Sequence, residues 1–182
     1  MLDNLKSLLE DQIRDLYSAE NQLTKALPKM AKKATSETLK DAFTSHLDET
    51  VGHIQRLEKI AQMLEVKPSG KVCKAMKGLV EEGKEAIDES GEDAVIDAAL
   101  IGAAQRVEHY EIAAYGCARA LAEQLGETKI IQLLQETLDE ESAANEKLTG
   151  ISLDEVLPAA VQQESSEQEQ APPRSRSKKS GN

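Results

Sequence analysis

The chain has no tryptophan, one phenylalanine and three tyrosines among its 182 residues. Aromatic stacking therefore cannot build its core, and aliphatic packing must do so. Proline occurs five times and glycine ten times, mostly in short clusters, so long stretches are free of helix breakers. The two cysteines, Cys73 and Cys117, have no metal-motif spacing and do not suggest a disulfide framework. A reducing cytoplasm is the simplest compartment for such a chain. No apolar run approaches the roughly 18 to 20 residues of a membrane span. The amphipathic, charged start MLDNLKSLLEDQ also lacks the apolar core of a secretory signal. Excess positive charge is missing as well: the net charge of −11 argues against a nucleic-acid-binding body. It suits a protein that gathers cations.

What is present is helix-forming. Ala, Leu, Ile, Glu, Gln and Lys dominate, and 40% of residues are hydrophobic, enough for one all-α domain with a sizeable core. Leu5, Leu9, Ile13, Leu16, Leu23 and Leu27 repeat at helical spacing and predict a first long helix from about Asp3 to Ala34. Pro28 lies inside it and predicts a kink or break near Leu27. Thr35-Ser36 offers a turn and an N-cap for a second helix, which carries Leu39, Phe43, Leu47, Thr50, Ile54, Leu57 and Leu64 inward. Lys67-Pro68-Ser69-Gly70 ends it. Residues 71 to 90 read as a shorter helix within a long crossover. Two further helices follow, from about Glu92 to Leu125 and from Thr128 to Thr149, each closed by a glycine. The folded domain is expected over residues 1–157. Residues 158–182 are polar and low in complexity, and read as a disordered tail with a basic tip at Arg174, Arg176, Lys178 and Lys179. A weak polyanion contact is conceivable only there.

Leu-Asp-Glu occurs twice, at residues 47–49 and 138–140, which are 91 positions apart. The same offset carries Leu57 to Leu148, Ile60 to Ile151, Leu9 to Leu100 and Glu20 to Glu111. The chain thus reads as two copies of one helical hairpin. At about 100° per residue, Glu20 and Glu111 fall at the centres of apolar stripes, where an unpaired carboxylate is costly to bury. Glu108 flanks the stripe of its helix. Glu49 and Glu140 lie nearer the stripe edges, and Glu141 is also close to the inner face, which leaves Glu140 or Glu141 open. Of the three histidines, His46 and His53 bracket Glu49 on the inner face, and either can supply an imidazole; His109 points away. The bland reading of any one such Glu is a side chain in solvent or paired with Lys or Arg. The repeat, and the scarcity of inward basic residues, favour a metal cation at Glu20 and Glu111 instead. Carboxylates with one or two imidazoles suit iron or manganese.

The runs LYSAENQLTKALPKM, SHLDETVGHIQRLEKI, CKAMKGLVEEG and LLQETLDEESAANEKLTGI resemble, in order and spacing, the YciE/YciF family of bacterial stress proteins, a branch of the ferritin-like superfamily. The likeness spans roughly residues 2 to 155. It implies a ferritin-like four-helix bundle with a crossover helix, a homodimer, and a di-iron or di-manganese centre. The ferritin and rubrerythrin pattern is Glu, Glu-x-x-His, Glu, Glu-x-x-His on successive helices. Carried over by position, it gives metal ligands Glu20, Glu49, Glu111 and Glu140, with Glu108 and His46 completing or bridging them. Glu108 and Glu111 match the Glu-x-x-Glu pair of rubrerythrins. The pattern departs at Gly52 and Ala143, where histidines belong. The implied function is a cytoplasmic stress-response protein that oxidises ferrous iron or reduces peroxide, with Tyr17 and Tyr115 near enough to hydrogen-bond a ligand. The alternative is a non-catalytic stress-induced module that keeps the fold without a competent centre.

Overall fold

Six α-helices account for nearly all the described residues, 2–170 of this computed structural model, and no strand occurs among them. They are α1 (Leu5–Lys33), α2 (Glu37–Met63), α3 (Lys74–Asp88), α4 (Asp93–Gln124), α5 (Thr128–Ile151) and α6 (Leu157–Gln170), with a π-helical turn at Ser152–Val156. α1 packs on α2 and α4 on α5, and the two hairpins close on each other through α1 with α4 and α2 with α5. On α2 and α5, His53 meets Glu140 and Arg56 meets Glu136, so rising numbers on one helix face falling numbers on the other: the pair is antiparallel. α3 lies in the crossover and packs on α1 and α4. This is the expected four-helix bundle with a long connection between its second and third bundle helices.

Local chemistry sets the boundaries. Asn4 caps α1 reciprocally with Ser7, and Ser36 caps α2 through Leu39 N–H. Asp97, buried on α4, accepts from Thr35 N–H at 2.9 Å, Ser36 N–H at 2.8 Å and the Thr35 hydroxyl at 2.7 Å. A carboxylate of the second hairpin therefore fixes the turn of the first. α2 and α4 end in the same hydrogen-bond pattern: Glu65 N–H to Gln62 and Val66 N–H to Ala61, then Gly126 N–H to Glu123 and Glu127 N–H to Ala122. Each needs a left-handed residue, Glu65 at φ 60° and Gly126 at φ 72°.

Two places differ in part from expectation: the break at Pro28, one of two outcomes expected there, does not occur, and helix is present beyond residue 157. α1 runs unbroken through Pro28. Its buried residues continue on both sides, through Leu23 and Leu27 to Met30, while Pro28 itself faces water, which can serve the carbonyl that the ring leaves unpaired. Helix also continues past the boundary expected at residue 157, as far as Gln170. Val156 and Ala160 are buried against the bundle, and Ser36 donates to Glu155 at 2.5 Å. The wide π turn falls just before Pro158, where a tighter α turn would meet its ring. Residues 171–182, including the basic tip, lie outside the described residues.

Two apolar clusters fill the bundle. One gathers Leu23, Leu27, Met30, Phe43, Leu100 and Leu148, the other Leu9, Ile13, Leu16, Leu57, Tyr115 and Leu134. The polar centre lies between them.

Candidate metal centre

Four helices bring ionisable groups to the slab between those cores. α1 supplies Glu20, α2 His46 and His53, α4 Glu108 and Glu111, and α5 Glu141. Glu20, Glu111, Glu141 and His53 are each 0% exposed. Among the described residues, eight buried atoms of this set lack a hydrogen-bond partner: Glu20 Oε2, His46 Nε2, His53 Nδ1, Glu108 Oε2, and both oxygens of Glu111 and of Glu141. Buried polar atoms are almost always satisfied, so this concentration of orphans at one place calls for an occupant. Ligand atoms of His46, Glu108, Glu111 and Glu141 lie within 4.8 Å of one another, as do those of Glu20, His53 and Glu141. The two groups share Glu141.

Each imidazole is held from outside and open inside. His46 Nδ1 lies 3.1 Å from Glu49 Oε2, while its Nε2 faces Glu108 and Glu141 at 3.5 and 3.6 Å. His53 Nε2 lies 2.9 Å from Glu140 Oε2, while its Nδ1 faces Glu141 and Glu20 at 3.1 and 3.3 Å. Arg56 grips Glu140 with both guanidinium nitrogens, at 2.5 and 2.8 Å, and reaches Glu136 at 2.7 Å. An outer carboxylate that fixes one ring nitrogen as the donor leaves the other aimed inward, where it offers a lone pair once a bound cation displaces its proton. Tyr115, on α4, donates its hydroxyl to Glu20 Oε1. The Thr50 hydroxyl donates to the His46 carbonyl at 2.7 Å.

The electrostatics follow from crowding acids away from water. Burial, then the neighbouring Glu20, Glu141 and Glu108 charges, push the Glu111 carboxyl far above its usual range. Burial and Glu141 raise Glu108 to about 8 against the pull of His46. Glu141 is raised by burial, with His53 opposing. Burial alone would lower His53, but its contacts with Glu141 and Glu20 win and raise it to about 10. The Glu49 carboxyl is lowered chiefly by its hydrogen bond to His46. For Glu140, burial acts upward, yet Arg56 and His53 hold the carboxyl below its usual value. Without a cation the centre thus retains protons that free carboxylates would release.

The structure brings together Glu20, His46, Glu108 and Glu111 of the expected ligands, and places the residues of both open alternatives. His53 is as inward as His46. On α5 it is Glu141 that turns in, whereas Glu140, a third exposed, turns to Arg56. Glu49, 43% exposed, likewise stands behind its histidine. The true inward register is therefore one residue later than the Leu-Asp-Glu repeat: the offset of 91 pairs Thr50 with Glu141 and His53 with Ala144. Each half keeps one member of a Glu-x-x-His motif, as Thr50-x-x-His53 and Glu141-x-x-Ala144. The apolar spacing carries the signal, since it puts Thr50 on the inner face, whereas the identical glutamates mark the neighbouring position. Tyr17 meets Glu58 near the surface instead of the cluster, and His109 is exposed as expected. The donor set is all carboxylate and imidazole; Cys73 and Cys117 lie elsewhere, lining a groove between α1, α4 and the loop before α3.

Among known proteins, residues 4–164 match the family model described as a domain of unknown function, DUF892. Protein YciF of Escherichia coli K12 is 48% identical over 145 residues, 79% of this chain and 87% of that protein. The crystal structure of the E. coli stress protein YciF superposes with a TM-score of 0.81 at 45% identity, over 84% of this chain and 96% of that one. YcfI of Rhodopseudomonas palustris, described provisionally as a structural protein, gives 0.80 at 46% identity over 84% and 97%. A ferritin-like, diiron-carboxylate protein from Bacillus anthracis shares the fold alone, with a TM-score of 0.65 at 16% identity over 82% and 99%. No helix among the described residues is long and apolar enough to cross a membrane. The chain belongs to the DUF892 family, as a homologue of the stress protein YciF built on the ferritin-like fold.

Proposed function

We propose that this chain is a di-metal carboxylate protein of stress defence, acting in the cytoplasm as a homodimer, and oxidising ferrous iron or reducing peroxide. The observation that carries the reading is the set of eight partnerless buried oxygen and nitrogen atoms converging from four helices. Glu20, Glu108, Glu111 and Glu141 can bear four negative charges in a dry interior, and two divalent cations would balance them. Glu20, His53 and Glu141 would hold one ion, and His46, Glu108, Glu111 and Glu141 the other. Oxygen and imidazole donors without thiolate favour iron or manganese. Once bound, such ions supply electrons to dioxygen or peroxide by changing oxidation state.

The chain's own contribution is placement and exclusion. Glu49 and Glu140 orient the imidazoles, with Arg56 fixing Glu140. Tyr115 holds Glu20 and is a proton donor beside the centre. The apolar clusters on either side keep water from competing for the carboxylates. A second reading is a non-catalytic structural or interaction module. It is favoured by Ala144, which leaves α5 without the imidazole that a full di-iron pattern carries, and by the structural description of YcfI.

Elemental analysis of full-length protein purified without chelators separates them. Near-stoichiometric iron or manganese that is lost in Glu20→Ala and Glu111→Ala supports the metal centre. A stable wild-type protein that refuses both metals supports the module.

A further inference from the structure

We infer that the two ion positions are not equivalent, because the chain admits ions and small ligands to the centre through one port between α2 and α5, under Ala144. This rests on the di-metal reading above and adds its point of entry.

A cavity of about 140 Å³ opens between these helices and is lined by His46, Glu49, Glu108, Glu140, Ala143 and Ala144, with Lys147 at its rim. Two of the partnerless buried atoms belong to its wall residues, His46 Nε2 and Glu108 Oε2. Both side chains are more than nine-tenths buried. The partly exposed carboxylates of Glu49 and Glu140 border the same space and present negative charge to an arriving cation. Three other cavities among the described residues touch none of the cluster.

The port exists because the two halves differ. At the position that the repeat gives to His53, the second half has Ala144, and a methyl group stands where an imidazole would fill the gap. The first half is closed: His53 occupies its place, Glu140 and Arg56 cover its outer nitrogen, and Tyr115 covers Glu20. Neither Glu20 nor His53 lines any of the four cavities. The His46–Glu108–Glu111–Glu141 position is therefore the exchangeable one, with room for a small exogenous ligand, and the Glu20–His53–Glu141 position is reached only past it.

Manganese exchange tests this without relying on turnover. Metal-free, full-length protein is mixed with Mn(II), free ion is followed by electron paramagnetic resonance, and EDTA then strips the loaded protein. Two ions per chain should load and leave in two resolved phases. Ala144→Leu, which keeps a good helix former and fills the port, should slow uptake at least about tenfold with the equilibrium count unchanged. Should Ala144→Leu lower that count, Ala143→Leu, at the mouth, decides by the same rate. Single-phase exchange, or wild-type rates in the deciding variant, overturns the port while leaving the metal centre standing. A wild type that takes up no Mn(II) at equilibrium overturns both.

Discussion

At the scale of single residues, an inward carboxylate is easiest to read where it interrupts an apolar stripe. Glu20 and Glu111 do so, in line with Leu16 and Leu23 on one helix and Val107 and Ala118 on the other. Glu141 was harder. Adjacent helical residues differ by about 100°, and a modest rotation of α5 decides which of Glu140 and Glu141 enters the core. The matching glutamates at 49 and 140 each pair with a histidine, His46 and His53, a contact that leaves no trace in periodicity because it depends on side-chain reach. The trapped protons yield a pH prediction. Between its ordinary value of 4.5 and about 8, folded Glu108 keeps a proton that the unfolded chain releases, so stability falls as pH rises through that window. Folded His53 keeps its proton from 6.5 up to about 10, with the same sign: its contribution is full below 6.5 and lost as pH rises through 10. The thermal midpoint of the metal-free protein should drop by at least about 5 °C between pH 6 and pH 9.5, followed by circular dichroism. Metal loading displaces these protons, so the loaded protein should keep its midpoint over the same range. A metal-free midpoint that is flat or rising with pH would contradict the electrostatic account.

At the scale of elements, the helices and the crossover were legible because breakers are few and the caps are plain: Asn4, Ser36, Gly126. Pro28 and the residues after 157 were not. Pro28 is tolerated because it faces solvent between buried Leu27 and Met30, a matter of facing that its identity alone does not disclose. α6 carries a polar sequence, yet Val156 and Ala160 suffice to seat its start on the bundle. The paired ends of α2 and α4 make a sharper prediction. Both demand a left-handed residue, and only one has glycine. Glu65→Gly should relieve the backbone strain and stabilise the fold by about 1 kcal/mol, seen as a higher denaturation midpoint at unchanged slope. An unchanged or lower midpoint would show that Glu65 is not strained.

At the scale of the whole molecule, two similar hairpins close around one polar slab. Their shared pattern made the fold readable, and their differences, Thr50 against Glu141 and His53 against Ala144, make the centre asymmetric. The last helix belongs to that body. A chain ending at Gln170 should match the full chain in helicity and midpoint, whereas one ending at Ile151 loses buried Val156 and Ala160 and should be destabilised by about 2 to 4 kcal/mol in urea denaturation. Equal midpoints for the two truncations would place α6 outside the folded unit. The most direct measurement is anomalous diffraction from crystals of iron- or manganese-loaded protein, recorded on both sides of the metal edge. Two peaks are predicted at the bundle centre, one against His53 and Glu20, one against His46, Glu108 and Glu111, with Glu141 between them. Loaded crystals without anomalous density there, and with those carboxylates hydrogen-bonded to one another instead, would contradict it.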